Sequence, residues 1–303
     1  MKKRSISNQF LENLKNGALH VIVDYVRVDP SLDLELRGNC VMVYYRGGKI
    51  LTVYENQNLK GLAEEYYKKE KKESGTAKIV PSYDCIHDYF AHAKHVVDIH
   101  ESSNKSKLGE KEIQQRVVYE NNMSVNSSNT DYFVADIEWA DNHNLGGRAD
   151  IVAFRWNHME HPKRIVQLTL IEVKQGENAI KTFEKGEQTS AGLKKHYDDF
   201  CKFRENKDYV SDCAKDMLLV LKQKKELGLI KGLEKLFEKT NVIKIVPEPD
   251  FLFLLANYHH YSTNLQEECK SLPNECKFVN ASFCGYGLYK DLVKTKKDLK
   301  FGD

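Results

Sequence analysis

Between residues 20 and 55 apolar positions alternate with polar ones through HVIVDYVRV, LDLELRG, NCVMVYYRGG and KILTVYEN, with Asp-Pro, Arg-Gly and Gly-Gly between the runs. A side-chain period of two, bounded by turn residues, predicts strands, and the short spacing predicts an antiparallel meander. A short helix is expected ahead of it over 7–16. The Lys/Glu-rich stretch 60–74 reads as an exposed helix that gives way to a loop at ESGT. A boundary near residue 80 then divides the chain into an N-terminal β-rich accessory domain, 1–80, and a larger domain, 81–303.

Past that boundary the period changes. Ile86, Tyr89, Phe90, Ala93 and Val97 recur at helical spacing, and the histidines at 87, 92, 95 and 100 are spread around the same cylinder, which argues against a shared metal. From 109 to 204 the pattern predicts a helix (EKEIQQRVVYEN), three strands (DYFVADIEWA, RADIVAFRWN, KRIVQLTLIEVKQ) and a second helix (SAGLKKHYDDFCKF). Short polar loops join the three strands, as in hairpins. Ser190 is the expected N-cap of the last helix, with Leu193, Tyr197 and Phe200 on one face. A Leu- and Lys-rich helical pair broken near Gly228 is expected over 211–240, and PDFLFLLANYH and CKFVNASFCGYGLYKDL supply two more strands. The implied fold class is α/β in its α+β form: a mixed central sheet flanked by helices, preceded by an antiparallel β-rich domain.

Three charged residues break the apolar strand pattern. Asp150 lies in GGRADIVAF, and Glu172 and Lys174 lie in RIVQLTLIEVKQ, two apart and so on one face of a strand. Burying such groups is costly unless they are paired, hydrogen-bonded or bound to metal. Asp136 and Glu138 in ADIEWA show the same spacing; they read equally as part of a second metal site or as the solvent-facing strip of a half-buried strand. The trio also has a structural reading, with Glu172 and Lys174 as an edge-strand pair and Asp150 as the partner of Arg148.

Composition narrows the classes. With 41% hydrophobic residues in 303 the chain can bury a substantial core, and no run is long and apolar enough to span a bilayer. The opening MKKRSISNQFLENLKNG lacks the apolar core of a signal peptide, and seven scattered cysteines read as reduced thiols, so a cytoplasmic location is expected. Cys269, Cys276 and Cys284 near His259 and His260 lack the CxxC spacing of a zinc site. There is no GxxxxGK[ST] loop, GxSxG elbow or HExxH helix. A net charge of +2 declares no global basic field, so nucleic-acid binding must rest on local patches. Tyr44, Tyr45 and Arg46 beside Gly47 and Gly48 read either as an aromatic and basic surface for bases or as the aromatics of a half-buried sheet.

The order helix, three strands with an acid on the second and acid-x-Lys on the third, then helix and strand, resembles the PD-(D/E)XK nuclease superfamily. EIQQ, DIEWA, GGRADIVAF, IEVKQG and SAGLKKHYDDF in succession look like a bacterial branch of it. The resemblance implies a restriction-endonuclease-like core and a metal-dependent nuclease acting on nucleic acid, DNA first; no membrane partner is expected from the lack of a long apolar run, and a homodimer is a further expectation. It implies Mg²⁺, replaceable by Mn²⁺, held by Asp150, Glu172 and the Val173 carbonyl, with Lys174 assisting the attacking water. The family pattern adds a Glu from the preceding helix; Glu112 fits because it shares a helical face with Arg116 and Tyr119, and Glu120 is the alternative. The family's Gln, with Tyr four residues on, is not matched, since four beyond Gln188 stands Gly192. Lys195, His196, Gln188 and Arg148 are therefore the expected substrate-facing groups, and Asp136, Glu138 and Gln175 the expected supports. The alternative is a non-catalytic nucleic-acid-binding or protein-interaction module on a nuclease-like fold.

Overall fold

Ser7 accepts a hydrogen bond from the Phe10 amide and so starts helix α1 (Asn8–Asn16), whose Phe10, Leu11 and Leu14 turn inward. The computed structural model describes residues 3–67, 78–102, 109–125, 127–140, 148–156, 164–176, 179–181, 183–184, 187–188, 192–238, 242–256, 258, 262–281 and 285–299. The first difference from the sequence pattern comes next: HVIVDYVRV is helix α2 (His20–Val28), not a strand. Its β-branched residues mimic alternation, yet the buried set Leu19, Ile22, Val23 and Val26 has helical spacing. The helix stops at Asp29, which is extended because Pro30 follows.

The remaining three runs form strands β1 (Leu32–Leu36), β2 (Cys40–Tyr45) and β3 (Gly48–Tyr54), which with the short β4 (Leu59–Lys60) make a four-stranded antiparallel sheet. Arg46 and Gly47, both at positive φ (48° and 79°), close the β2–β3 hairpin. Of the helix expected over 60–74, residues 64–67 are helical and 68–77 lie outside the described residues. Helix α3 (Ile86–Ser102) and helix α4 (Glu110–Asn122) follow.

The central sheet is mixed. Strands β5 (Tyr132–Ala140), β6 (Arg148–Arg155) and β7 (Ile165–Gln175) pair antiparallel in sequence order. The two-residue β8 (Phe183–Glu184) and β9 (Glu187–Gln188) pair apart from them. Helices α5 (Leu193–Glu205) and α6 (Lys207–Glu226) intervene before β10 (Lys244–Ile245) and β11 (Asp250–Ala256), both parallel to β7. Helix α7 (Thr263–Lys270) leads to β12 (Lys277–Ala281), parallel to β11, and β13 (Lys294–Thr295) closes that edge antiparallel. The class is thus mixed α/β. No helix among the described residues is long and apolar enough to cross a membrane.

Alternation along the inner strands feeds two cores. Leu168, Leu170, Phe251, Phe253 and Phe278 join α5, α6 and the N-terminal helices in one cluster, while Ile171, Val173, Leu252, Leu254 and Val279 join Ile113 and Val117 of α4 in the other. The first cluster takes residues from both sides of position 80. The helical pair expected over 211–240 is a single helix, α6. Gly228 (φ 71°) ends it and Gly232 (φ 82°) interrupts the next run, and the Lys231 amide donates to the Asn122 carbonyl of α4 at 2.8 Å instead of continuing a helix.

A buried ionic chain ties the two sheets together. Lys224 on α6 (1% exposed) meets Glu35 on β1 (0%) at 2.6 Å, and Arg37 bonds Asp136 on β5 and donates to the Ile137 carbonyl at 2.8 Å. Arg4 adds a second contact to Asp136, at 3.2 Å. Burial pushes the Glu35 carboxyl well above its ordinary range, and Lys224 offsets part of that. Replacing one partner leaves the other charge stranded, so Lys224→Ala is expected to cost about 3–5 kcal/mol in urea unfolding, with the Glu35→Leu, Lys224→Met double variant recovering most of it. Equal stability of Lys224→Ala and the native chain would show that the pair carries no such constraint.

Candidate active site

The β6–β7 ladder runs down to Ile151 opposite Ile171 and stops. Beyond it the Val173 amide donates to Asp150 Oδ2 at 2.7 Å, so a side chain on β6 takes up a backbone donor of β7. Glu172 and Lys174, flanking that amide, leave β7 on the face opposite Val173. Lys174 Nζ donates to Glu172 Oε1 at 2.8 Å, and His196 Nδ1, in the first turn of α5, lies 3.1 Å from the same oxygen. The three strand residues are therefore together, and they are buried: Asp150 is 6% exposed, Glu172 4% and Lys174 3%.

The electrostatics follow from crowding. Burial, then the charges of Glu172 and Glu110, push Asp150 from its ordinary value near 3.8 up to about 8. Glu172 is also raised by burial, against the pull of Lys174. The His196 imidazole is driven down to about 3, first by burial and then by Lys174, Arg148 and Lys195, which keeps it neutral near pH 7.

The helix carboxylate acting on this group is Glu110 at the start of α4. Its own value is raised by burial, with Lys174 and Arg148 opposing. Glu112, two residues on and so turned by about 200°, bonds Arg116 at 3.0 Å and Arg46 at 3.4 Å. Its shared face with Arg116 and Tyr119 is real, but that face looks onto a different cleft, where Glu120 also lies. The signal for Glu110 is its spacing of four from Gln114, which places both on the side of α4 that meets β5.

Asp136 and Glu138 part company. Asp136 is locked by Arg37 and Arg4, whereas Glu138, at φ 51°, breaks the strand alternation and accepts from Gln114 of α4 at 3.0 Å. Asp136 is thus buried and held by arginines, not solvent-facing; Glu138 adds negative potential at Glu110. Arg148 is exposed at the start of β6 and acts on Glu172, Glu110 and His196 through its charge. Lys195 pairs with Asp199 one turn on. Gln175 ends β7 opposite Ala256. The backbone of Gln188 lies in β9, its side chain is outside the described residues, and Ser190 is outside them altogether; Gly192 caps α5.

Asp150 and Glu172 offer the hard carboxylate oxygens that Mg²⁺ or Mn²⁺ takes, and the crowding of negative charge on Asp150 suits a cation. Among the described residues no three His, Cys, Asp or Glu side chains form a ready cage. A cleft of about 930 Å³ between α6 and β10 is lined by Leu168, Leu218 and Ile245 and by none of these site residues. Comparison with protein-family models, curated proteins and solved structures finds no match to this chain.

The raised Asp150 carboxyl fixes the sign of a pH dependence. Between about pH 4 and about pH 8 the folded chain keeps a proton that the unfolded chain has released, so this group's contribution to stability falls across that window and levels off above it. In metal-free buffer Asp150 alone is expected to lower the unfolding free energy by a few kcal/mol from pH 5 to 8, partly offset below about pH 6.5 by the depressed His196, so the Asp150→Asn profile should fall less, or rise more, than the native one across that window. Native and Asp150→Asn profiles of equal slope from pH 5 to 8 would contradict the buried, crowded carboxyl.

Proposed function

We propose that the chain is a metal-dependent nuclease with a restriction-endonuclease-like core, hydrolysing phosphodiester bonds, in DNA first. The observation that carries this reading is the meeting of Asp150, Glu172 and Lys174 across two neighbouring strands, joined by the Val173 amide. Two acids and a lysine from the second and third strands are the groups the sequence resemblance requires, in the same order.

Asp150 and Glu172 would hold the cation, with the Val173 carbonyl as a further donor on the backbone between Glu172 and Lys174. When bound, Mg²⁺ supplies a water of lowered pKa and a counter-charge for the phosphate oxygens. The Lys174 ammonium stabilises the negative charge that develops on the reacting phosphate. Neutral His196, against Glu172, fixes that carboxylate and keeps a second ring nitrogen for a proton or a phosphate oxygen. Exposed Arg148 gives a polyanion its first contact at this end of β6.

A second reading is favoured by one observation: Lys174 and His196 both occupy Glu172 Oε1, and all three strand residues are nearly inaccessible. A network satisfied from within describes an interaction module with a structural ion pair at its centre. Cleavage separates the two readings. Purified chain with Mg²⁺ or Mn²⁺ should degrade DNA or RNA, and Glu172→Gln and Lys174→Ala, each checked for folding by circular dichroism, should slow it roughly 100-fold or more. Undiminished cleavage in either variant would remove the mechanism.

A further inference from the structure

Helix α4 turns a second face to a cleft of about 590 Å³, bounded by the Arg46 hairpin tip, the segment after α2 and Tyr286. We infer that this cleft receives one unpaired base of a nucleic-acid strand, an inference that takes its ligand class from the nuclease reading. Its walls are flat and π-rich. The Arg116 guanidinium lies over the Tyr286 ring, 6.0 Å from its centre, and Tyr119, three residues on from Arg116 along α4, is 37% exposed. Planar guanidinium and phenol groups are the surfaces on which bases stack.

Charge points the same way. Glu112 holds Arg116 at 3.0 Å and Arg46 at 3.4 Å, and Glu120 is a second carboxylate in the lining. Asp98 also pairs with Arg46, at 3.0 Å, so the two arginines are fully offset by acids and the cleft carries no net positive charge, which suits an uncharged ring whose phosphates stay outside. Two unpaired polar atoms lie beneath the cleft surface. Gln115, 7% exposed, accepts from the Gly47 amide at 2.6 Å through Oε1, and its Nε2 has no partner among the described residues. The Tyr286 hydroxyl, on a residue also 7% exposed, is likewise without one. A buried donor left unmatched is costly. Each atom is closed to solvent, so a base edge would meet Nε2 or the hydroxyl only as the Gln115 or Tyr286 side chain turns toward the cleft.

Gly47 makes the arrangement specific to this pairing of hairpin and helix. A Cβ there would come within 2.5 Å of Lys111 Cβ, so the hairpin can lie against α4 and bond Gln115 only with glycine at that position.

The test is binding without cleavage: fluorescence anisotropy of the full chain with a labelled 20-nucleotide single strand, and with its duplex, in EDTA. Tyr119→Ala and Arg116→Ala should each weaken single-strand binding by about 5- to 100-fold, Tyr119→Phe should restore it, and duplex affinity should stay within about twofold. Single-strand affinity unchanged in both alanine variants, equal losses on duplex, or no single-strand binding by the native chain would each overturn the base cleft. Because no metal is present, these outcomes are independent of cleavage. Tyr119-dependent binding in a chain that cuts nothing would keep the cleft and reject the nuclease.

Discussion

The hydrogen bond from the Val173 amide to Asp150 is the contact on which the candidate site depends. A side chain replaces a strand carbonyl at the point where the β6–β7 ladder ends, so the carboxylate is fixed to the backbone of its neighbour and not to a movable side chain. Because Val173 lies between Glu172 and Lys174, the same bond sets the distance from Asp150 to both. The strand period then sends Val173 into one core and its two charged neighbours to the opposite face. Raised carboxyls and a depressed imidazole follow from placing three acids, a lysine and a histidine where water is scarce.

Helix α4 is the element that the two chemical regions share. Glu110 and Gln114 look toward β5 and the trio, while Glu112, Arg116 and Tyr119 look toward the cleft closed by the hairpin tip. Its inner stripe, Ile113 and Val117, packs on the second core and holds both outlooks in place. The four-stranded sheet is thus more than an appendage in physical terms. Its hairpin bonds Gln115, and its first strand supplies Glu35 and the adjoining Arg37 to the buried ionic chain that reaches α6 and β5.

That ionic chain also explains why charge spacing alone misleads. Asp136 and Glu138 stand two apart in a strand, as Glu172 and Lys174 do, yet the positive φ at Glu138 sends it to α4 while Asp136 binds two arginines from the N-terminal region. The same holds for HVIVDYVRV, where β-branched residues favour a strand locally but three buried positions, continuing the helical spacing from Leu19, decide for a helix. Tertiary packing overrides propensity when one face can be fully buried.

The sequence by itself determined the three-strand order with its antiparallel pairing, the helices on either side of it, and the presence of Asp150, Glu172 and Lys174 in apolar strands, because period and burial cost are written in local residue type. It also marked Arg46, Arg116 and Tyr119 as notable, without showing that they share a cleft. Only the tertiary structure decided that Glu110 and not Glu112 acts on the trio, that Asp136 belongs to a buried ionic chain, and that the run after Gly228 abandons the helix to bond α4. Those outcomes depend on a rotation of about 100° per helical residue, on one residue at positive φ, and on which distant chain segment arrives as neighbour. None of these is a property of residue type at a single position.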